Sequence, residues 1–128
     1  MKEESSADKA PSAPNFLSQA ITSNGLVFVS GQIHTLPDNT LVKGTTKEKV
    51  DQVFNNIRAI LEAANATLDN IVKVVIYVTD MSEMPELNKV YPTYFNKPYP
   101  VREAVCVKAL PLGAEIEISV IAGVGVLH

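Results

Sequence analysis

Two β-strands joined by a turn are predicted by the segment Pro100-Val101-Arg102-Glu103-Ala104-Val105-Cys106-Val107-Lys108-Ala109-Leu110-Pro111-Leu112-Gly113-Ala114-Glu115-Ile116-Glu117-Ile118. Because strand side chains alternate between faces, Arg102 and Glu117 each interrupt an otherwise apolar strand. If the two strands pair across the Leu110–Gly113 turn, both charges lie on one sheet face, with the register open by a residue pair. Charges are costly to remove from water unless they are compensated, so both residues are candidates for a site.

Arg102 and Glu117 each have a functional and a structural interpretation. A guanidinium matches a carboxylate in two parallel hydrogen bonds. The proline-rich lead-in, and the expectation that Arg102 faces away from the helices, favour ligand binding; the alternative is an ion pair with Glu103 or a glutamate of the next strand. A carboxylate in a partly dry site has a raised pKa and can hold a water as general acid or base. The alternative for Glu117 is a salt bridge or an interface pair.

The N-terminal part predicts a loose arm followed by a hairpin. Residues 1–14 are polar and contain two prolines, which is typical of a loose arm. The segment from Phe16 to Ile33 predicts a hairpin with a type I′ turn at Asn24-Gly25, because both residues tolerate positive φ. Gly31 inside the second strand indicates a bulge or a close approach to the backbone. Ser30 and Gly31 could present backbone groups to a ligand, although an ordinary bulge is the simpler interpretation.

Two amphipathic helices follow, separated by the apolar strand 71–79. Thr45 and Glu48 predict a capping box at the start of the first helix, and Asn65 predicts its end. Pro92 predicts a kink or an early end in the second helix. The polar face of the first helix is expected to be in water and carries Lys47, Lys49, Asp51, Asn55, Arg58 and Glu62.

The order β-β-α-β-α-β-β predicts a two-layer α/β sandwich with a mainly antiparallel or mixed sheet, in one domain over residues 1–128. Two helices can cover only one face of that sheet. Three strands nevertheless look apolar on both faces, namely 26–29, 71–79 and 101–107. The second face must therefore be covered from outside the chain, most simply by another copy.

Composition excludes several classes of function. The net charge of −3 and the lack of an aromatic-basic surface argue against a nucleic-acid partner. The chain has no apolar run of membrane-spanning length, and its N-terminus lacks the apolar centre of a signal peptide. We therefore expect a cytoplasmic protein without a membrane partner.

The chemistry-bearing residues outside the opening segment are few. The single cysteine, Cys106, cannot form an intrachain disulfide and is expected to be buried among valines as a small hydrophobe. His34 and His128 are isolated, and no cluster has metal-ligand spacing. No phosphate loop or dinucleotide fingerprint is present. We therefore expect neither a metal nor a cofactor.

Four groups of residues resemble the Rid family of reactive intermediate deaminases, also called the YjgF family, whose older labels include translation inhibitor and endoribonuclease. The resemblance covers nearly the whole chain, from about Ala10 to Ala122. The groups are Val29-Ser30-Gly31-Gln32-Ile33; Val53-x-x-Asn56-Ile57 with Ile60-Leu61-Glu62-Ala63-Ala64; Asp69-x-Ile71-Val72-Lys73-Val74 with Asn88-x-Val90-Tyr91 and Tyr94-Phe95; and Pro100-x-Arg102 with Ala109-Leu110-Pro111 and Glu117-Ile118.

The resemblance implies a chorismate-mutase-like sandwich that forms a homotrimer, with the sheets at its centre and the pockets between subunits. It implies hydrolysis of small 2-imino or enamine acids, such as 2-iminobutanoate and 2-iminopropanoate, to 2-keto acids and ammonia without a cofactor. By resemblance, Arg102 binds the substrate carboxylate and Glu117 positions or activates the attacking water. Backbone groups of Ser30 and Gly31 orient the substrate.

The resemblance also places Leu17, Asn88 and Ala104 at the substrate site. Leu17 stands where many members have a tyrosine, and Ala104 stands where a pocket cysteine often occurs. These two departures are expected to change the substrate size or lower the rate. They keep open a second function, that of a non-catalytic trimer that binds small carboxylates or partner proteins in a regulatory or protective role. A third interpretation is an endoribonuclease or translation inhibitor, against which the acidic balance counts.

Overall fold

The computed structural model describes residues 1–124, which form six strands and two α-helices around one hydrophobic core. His128 lies outside the described residues. The strands are β1 (Glu3–Ser5), β2 (Ala20–Ser23), β3 (Leu26–Ile33), β4 (Ile71–Val78), β5 (Val101–Cys106) and β6 (Ile116–Gly123). The helices are α1 (Thr46–Ala63) and α2 (Met84–Val90). The observed order therefore has one N-terminal strand more than the predicted β-β-α-β-α-β-β.

Local sequence signals fix the ends of these elements as predicted. The Thr45 hydroxyl accepts from the Glu48 N–H at 3.2 Å, and the Glu48 carboxylate accepts from the Thr45 N–H at 2.9 Å, which confirms the capping box. Asn65, with φ of 60°, follows the end of α1. Asn24 and Gly25 both have positive φ in the turn between β2 and β3, as a type I′ turn requires. The second helix ends at Val90, just before Pro92, and continues as a 3₁₀ turn.

The sheet order is β1-β2-β3-β6-β4-β5, with β4 and β5 parallel and the other neighbours antiparallel. A parallel pair needs a crossover, which α2 provides between β4 and β5. The predicted pairing of β5 with β6 across the Leu110–Gly113 turn is wrong, because β4 lies between them. The chain turns at Leu112, which has a φ of 59°, and β6 then lies between β3 and β4.

Both helices pack on one face of the sheet, which confirms the two-layer α/β architecture. Alternate residues of each central strand enter the core, so β6 buries Ile116, Ile118 and Val120 while its other face is only half-buried. The α1 residues that face them include Phe54 and Ile57, which are completely buried. This burial supplies most of the driving force for folding.

The opposite face of the sheet, which we call the open sheet face, is not covered by any element within residues 1–124. It presents Phe28, Val75, Tyr77, Val105 and Ile121. Phe28 is 42% exposed and Val105 is 43% exposed, which is high for large apolar side chains in a sheet. The prediction that the helices leave one apolar face uncovered is confirmed.

Residues 3–11 do not form the expected loose arm. β1 pairs with β2, and the buried Gln19 amide bonds to backbone groups of Ala7, Ala10 and Pro11. The Gln19 side chain, which has N–H donors and an acceptor oxygen, thus holds residues 7–11 in place, although this segment makes few regular backbone hydrogen bonds.

Two predictions about exposure are also wrong. Lys49 lies on the polar face of α1 and was expected to be in water, but it is only 4% exposed. Its burial is possible because two carboxylates compensate its charge inside the protein. Cys106 is exposed rather than buried, because β5 is the edge strand of the sheet. Neither α1 nor α2, the two α-helices within residues 1–124, is long and apolar enough to span a membrane.

Candidate functional site

A cavity of about 270 Å³ opens where β3 and β6 meet the segment before β2. Its volume is close to the lower end of the range for small-molecule sites. Its wall is mostly apolar, with one carboxylate among the lining residues. Those that matter for its chemistry are Phe16, Leu17, Ser30, Gly31, Pro111 and Glu117.

The cavity is shaped by a bulge in β3. The register between β3 and β6 shifts between Val29 and Gln32, so Ser30 and Gly31 are left out of the regular pairing. A Cβ atom on Gly31 would collide with the Glu117 carboxylate and would stand only 2.9 Å from its Cδ. The two predicted meanings of Gly31, a bulge and a close approach to the backbone, are therefore both confirmed.

Glu117 is half-buried and its carboxylate has no hydrogen bond or ion pair with any other residue in the range 1–124. Burial raises the pKa of Glu117 above its ordinary value, since the charged form loses water without gaining a partner. A carboxyl group in this condition can give or take a proton closer to neutral pH than an exposed glutamate. The salt bridge that was the alternative for Glu117 is not formed among the described residues.

Ser30 is held in place by three hydrogen bonds. Its N–H donates to the Gln19 carbonyl at 2.9 Å, and its hydroxyl donates to the Ser18 carbonyl at 2.6 Å. Its carbonyl accepts from the Gln32 side chain at 3.0 Å. These bonds make the bulge rigid beside the cavity, and they leave Gly31 as the bulge residue whose backbone contacts the Glu117 carboxyl.

Arg102 does not share a face with Glu117. The parallel register sets Arg102 opposite Val74 on the helix side of the sheet, whereas Glu117 lies opposite Tyr77 on the open sheet face. The expectations that Arg102 faces away from the helices and lies beside Glu117 are therefore wrong. The reason is that β5 pairs with β4 and not with β6. Its guanidinium carbon lies 4.9 Å from the ring centroid of Tyr91.

The guanidinium of Arg102 remains without a carboxylate partner within residues 1–124. Glu103, the structural alternative, instead forms an ion pair with Lys73 at 3.2 Å on the other face of the sheet. The Tyr91 ring packs against Phe95 at 4.9 Å and gives the guanidinium a flat apolar surface. Arg102 is exposed, so its donors are accessible to a ligand carboxylate.

The predicted site residues thus fall into two groups within one chain. Leu17, Ser30, Gly31 and Glu117 line the cavity. The second group lies elsewhere: Arg102 and Ala104 share the helix side of the edge strand β5, and Asn88 is exposed on α2. One chain brings the Glu117 carboxyl to the apolar wall of the cavity, but it does not bring the Arg102 guanidinium there.

Phe16, Gln19 and Pro111 line the cavity but are absent from the predicted site. Pro111 belongs to the Ala109-Leu110-Pro111 motif, so that motif was a usable signal for it. Phe16 and Gln19 stand within two residues of Leu17, which the resemblance places at the site, so that segment was a usable signal for both. The bonds of Gln19 could not be predicted, because its partners are backbone groups 8 to 12 residues away in the sequence.

The structure changes the interpretation of His34, which looked isolated in the sequence. Its ring is completely buried and bonds to the backbone of Val42 and Glu115. In the described part of the chain, no three His, Cys, Asp or Glu side chains are arranged to hold a metal ion.

Comparison with known proteins assigns these features to one family. The family model described as endoribonuclease L-PSP matches residues 7–124. Protein HMF1 of Saccharomyces cerevisiae is 46% identical over 115 residues, which cover 90% of this chain and 89% of that protein. The 2-iminobutanoate/2-iminopropanoate deaminase of Mus musculus is 37% identical over 118 residues, which cover 91% of this chain and 87% of the mouse protein.

Solved structures agree with the sequence comparison. The crystal structure of yeast Mmf1 matches with a TM-score of 0.94 at 42% identity, covering 98% of this chain and 100% of that one. The names of the relatives refer to different activities, so the family establishes the fold, and the activity has to be argued from the site. The chain belongs to the Rid family, also known as the YjgF or endoribonuclease L-PSP family.

Proposed function

We propose that the protein hydrolyses reactive 2-imino acids and their enamine tautomers, with 2-iminobutanoate and 2-iminopropanoate as substrates, to 2-keto acids and ammonia. The observation that carries this proposal is the half-buried Glu117 carboxyl, which has no partner within residues 1–124 and lies against Gly31 in a small apolar cavity. The mouse relative, 37% identical, is named for the same reaction, which supports the proposal.

The reaction needs proton transfer at two atoms, which one carboxyl group can perform. Protonated Glu117 donates to the imine nitrogen, and the resulting carboxylate takes a proton from the water that attacks the imine carbon. Glu117, protonated again by that water, donates its proton to the carbinolamine nitrogen. The C–N bond then breaks and ammonia leaves, while the hydroxyl proton passes to the Glu117 carboxylate and the ketone forms. One water is consumed for each ammonia released. The raised pKa of Glu117 suits it to both directions of transfer.

Arg102 serves in this proposal as the group that binds the substrate carboxylate. Its fork of donors matches a carboxylate in two parallel bonds. Because Arg102 and Glu117 lie on opposite faces of one sheet, they cannot hold the two ends of one small imino acid within one chain. The complete site therefore takes Glu117 from one copy and Arg102 from a neighbouring copy.

A homotrimer provides such a site and also covers the open sheet face. The exposed large apolar residues that this contact would bury include Leu26, Phe28, Val101 and Val105. Closed rotational symmetry repeats the same contact at each interface and leaves no apolar face uncovered. The position of Arg102 on the edge strand β5 supports its contact with a second copy.

The test is an assay in which threonine dehydratase generates 2-iminobutanoate from threonine and semicarbazide traps the remaining imine. We expect wild-type protein to reduce semicarbazone formation and to accelerate keto-acid release, whereas Glu117→Gln does neither. Glu86→Gln, an exposed glutamate on α2, is the matched control and should behave as wild type. An equal rate with and without wild-type protein would refute the proposal. Saturable binding of 2-ketobutyrate without any acceleration would instead favour the non-catalytic carboxylate-binding function.

A further inference from the structure

His34 lies directly after β3 and is completely buried. Its Nδ1 is 2.8 Å from the Val42 carbonyl, and its Nε2 is 3.0 Å from the Glu115 N–H. A carbonyl can only accept and a backbone N–H can only donate. The ring is therefore neutral, with its proton on Nδ1 directed to Val42 and its Nε2 accepting from Glu115.

The His34 ring replaces a missing backbone bond at the end of the β3–β6 pair. Ile33 and Glu117 form the last pair in the register of these strands. Continuing that register would set Thr35 opposite Glu115, but the Thr35 N–H turns back to the Ile33 carbonyl at 2.9 Å. The Glu115 N–H is left to the imidazole of His34, and the Glu115 carbonyl accepts from the Thr79 N–H at 3.2 Å.

The side chain of Glu115 is also bonded within the described residues. Its carboxylate accepts from the Lys49 ammonium at 2.8 Å, and the same ammonium donates to Glu83 at 2.6 Å. Glu83 also accepts from the Thr46 hydroxyl. Lys49, Glu83 and Glu115 are the charged groups around His34, and they join the start of β6 to α1 and to the turn before α2.

We propose that His34 is a positioning residue for Glu117: by holding the Glu115 N–H, it fixes the start of β6 and keeps the Glu117 carboxyl against Gly31 in the cavity. Glu117 lies only two residues beyond Glu115, and its opposite neighbour Ile33 directly precedes His34. The competing view is that His34 only adds stability and leaves Glu117 unaffected. The catalytic consequence rests on the proposed function, whereas the structural consequence can be measured without it.

Two substitutions separate the two bonds of the ring. His34→Gln keeps an acceptor where Nε2 lies, and His34→Asn keeps a donor where Nδ1 lies but offers no acceptor to Glu115. Both replacements are neutral amides that lose the packing of the ring. A difference between them therefore reports which of the two bonds is kept, to Glu115 or to Val42, and not the general cost of changing a buried residue.

The first readout is an NMR pH titration of the Glu117 carboxyl carbon, assigned with Glu117→Gln, together with amide hydrogen exchange of Glu115. In wild type and His34→Gln we expect a protected Glu115 amide and a raised Glu117 midpoint. In His34→Asn we expect lost protection and a midpoint that falls toward the ordinary value of 4.5, because water reaches the loosened carboxyl. The two readouts must change together in every folded variant. Lost Glu115 protection with an unchanged midpoint, or a lowered midpoint with protection intact, would overturn the proposal even if only His34→Gln folds.

The second readout is the split between kcat and KM for 2-iminobutanoate. We expect His34→Asn to lower kcat by about 10-fold or more while KM changes less, since misplacement of a proton-transfer group acts on the transition state. His34→Gln should keep most of kcat. Equal loss in both variants would contradict the positioning role. If wild type shows no deaminase activity, the titration and exchange data still decide whether His34 positions Glu117.

Discussion

Gly31 and Glu117 lie so close across the β3–β6 pair that any side chain at position 31 would occupy the space of the Glu117 carboxyl. The bulge at Ser30 and Gly31 creates this contact, because it takes two residues of β3 out of register with β6. The carboxyl is thereby buried beside the cavity, and this burial raises its pKa above the ordinary value. Because Gly31 has no Cβ atom, the Glu117 carboxyl can occupy this buried position, in which its pKa is raised.

The first prediction concerns Gly31→Ala. The added methyl group meets the end of a flexible side chain, so Glu117 rotates away at small cost to stability. We expect kcat to fall by about 100-fold, because the proton-transfer group is misplaced, with little change in the melting temperature. Gly123→Ala is the matched control, since an added Cβ there meets no atom within 4 Å. Equal activity of the two alanine variants would contradict the role given to this contact.

The second prediction is that Glu117→Gln lowers kcat and raises the stability of the protein at pH 8. Loss of a general acid-base group should lower kcat by about 10²- to 10⁴-fold. The folded state raises the pKa of Glu117, so the carboxyl destabilises the protein as pH rises from about 4.5 through the raised value. We expect Glu117→Gln to be more stable than wild type to urea at pH 8 and no more stable at pH 4. A variant that loses stability at pH 8 would show that the Glu117 charge is compensated.

The local elements of the fold could be predicted because their signals lie within a few residues. The capping box needs only Thr45 and Glu48, and the hairpin turn needs only Asn24 and Gly25. The uncovered sheet face could be predicted because two helices can cover only one face of a sheet, whereas several strands are apolar on both faces. The Rid family was likewise predictable from short motifs, and the comparisons confirm it.

The strand order could not be predicted, because alternation within β5 and β6 gives the face of each side chain relative to its own strand only. Whether Arg102 and Glu117 share a face depends on β4 lying between those strands, which is a long-range arrangement. The burial of Lys49 could not be predicted either, because it also depends on a long-range arrangement. Its partners Glu83 and Glu115 are 34 and 66 residues away in sequence, so its charge indicated exposure to water.

The third prediction concerns the fork of donors on Arg102. Arg102→Lys keeps the charge but loses bidentate geometry and stacking on Tyr91. We expect KM for 2-iminobutanoate to rise by about 10- to 100-fold, corresponding to the loss of one charged hydrogen bond, while the oligomeric state is unchanged. Arg58→Lys, an exposed position on α1, serves as the control. A KM for Arg102→Lys within error of the control would exclude carboxylate binding by Arg102.

The fourth prediction is a loss of stability in mild acid that depends on His34. Burial lowers the pKa of His34 below its ordinary value of 6.5, and both ring nitrogens are engaged in the neutral form. The unfolded chain therefore binds the proton more readily, and stability falls as pH drops below about 6.5, by up to about 1.4 kcal/mol per pH unit for one proton.

Urea unfolding between about pH 7.5 and pH 5, a range that brackets the ordinary histidine pKa, measures this slope. In His34→Gln the free energy of unfolding should change less with pH over that range, because the amide does not titrate. The Lys49 ammonium lowers the pKa of Glu115, so its contribution is lost only below about 4.5, outside that range. Identical slopes for wild type and His34→Gln would contradict the neutral buried form of His34.

The division of the site between copies is tested most directly by mixing two inactive chains. Arg102→Ala and Glu117→Gln are refolded together in equal amounts, and deaminase activity is measured with 2-iminobutanoate. If each site takes Arg102 from one copy and Glu117 from the next, about a quarter of the sites in random closed rings contain both residues. We expect recovery of about a quarter of wild-type activity from two inactive parents. Activity that stays at the level of the separate variants, in oligomers shown to contain both chains, would contradict a shared site.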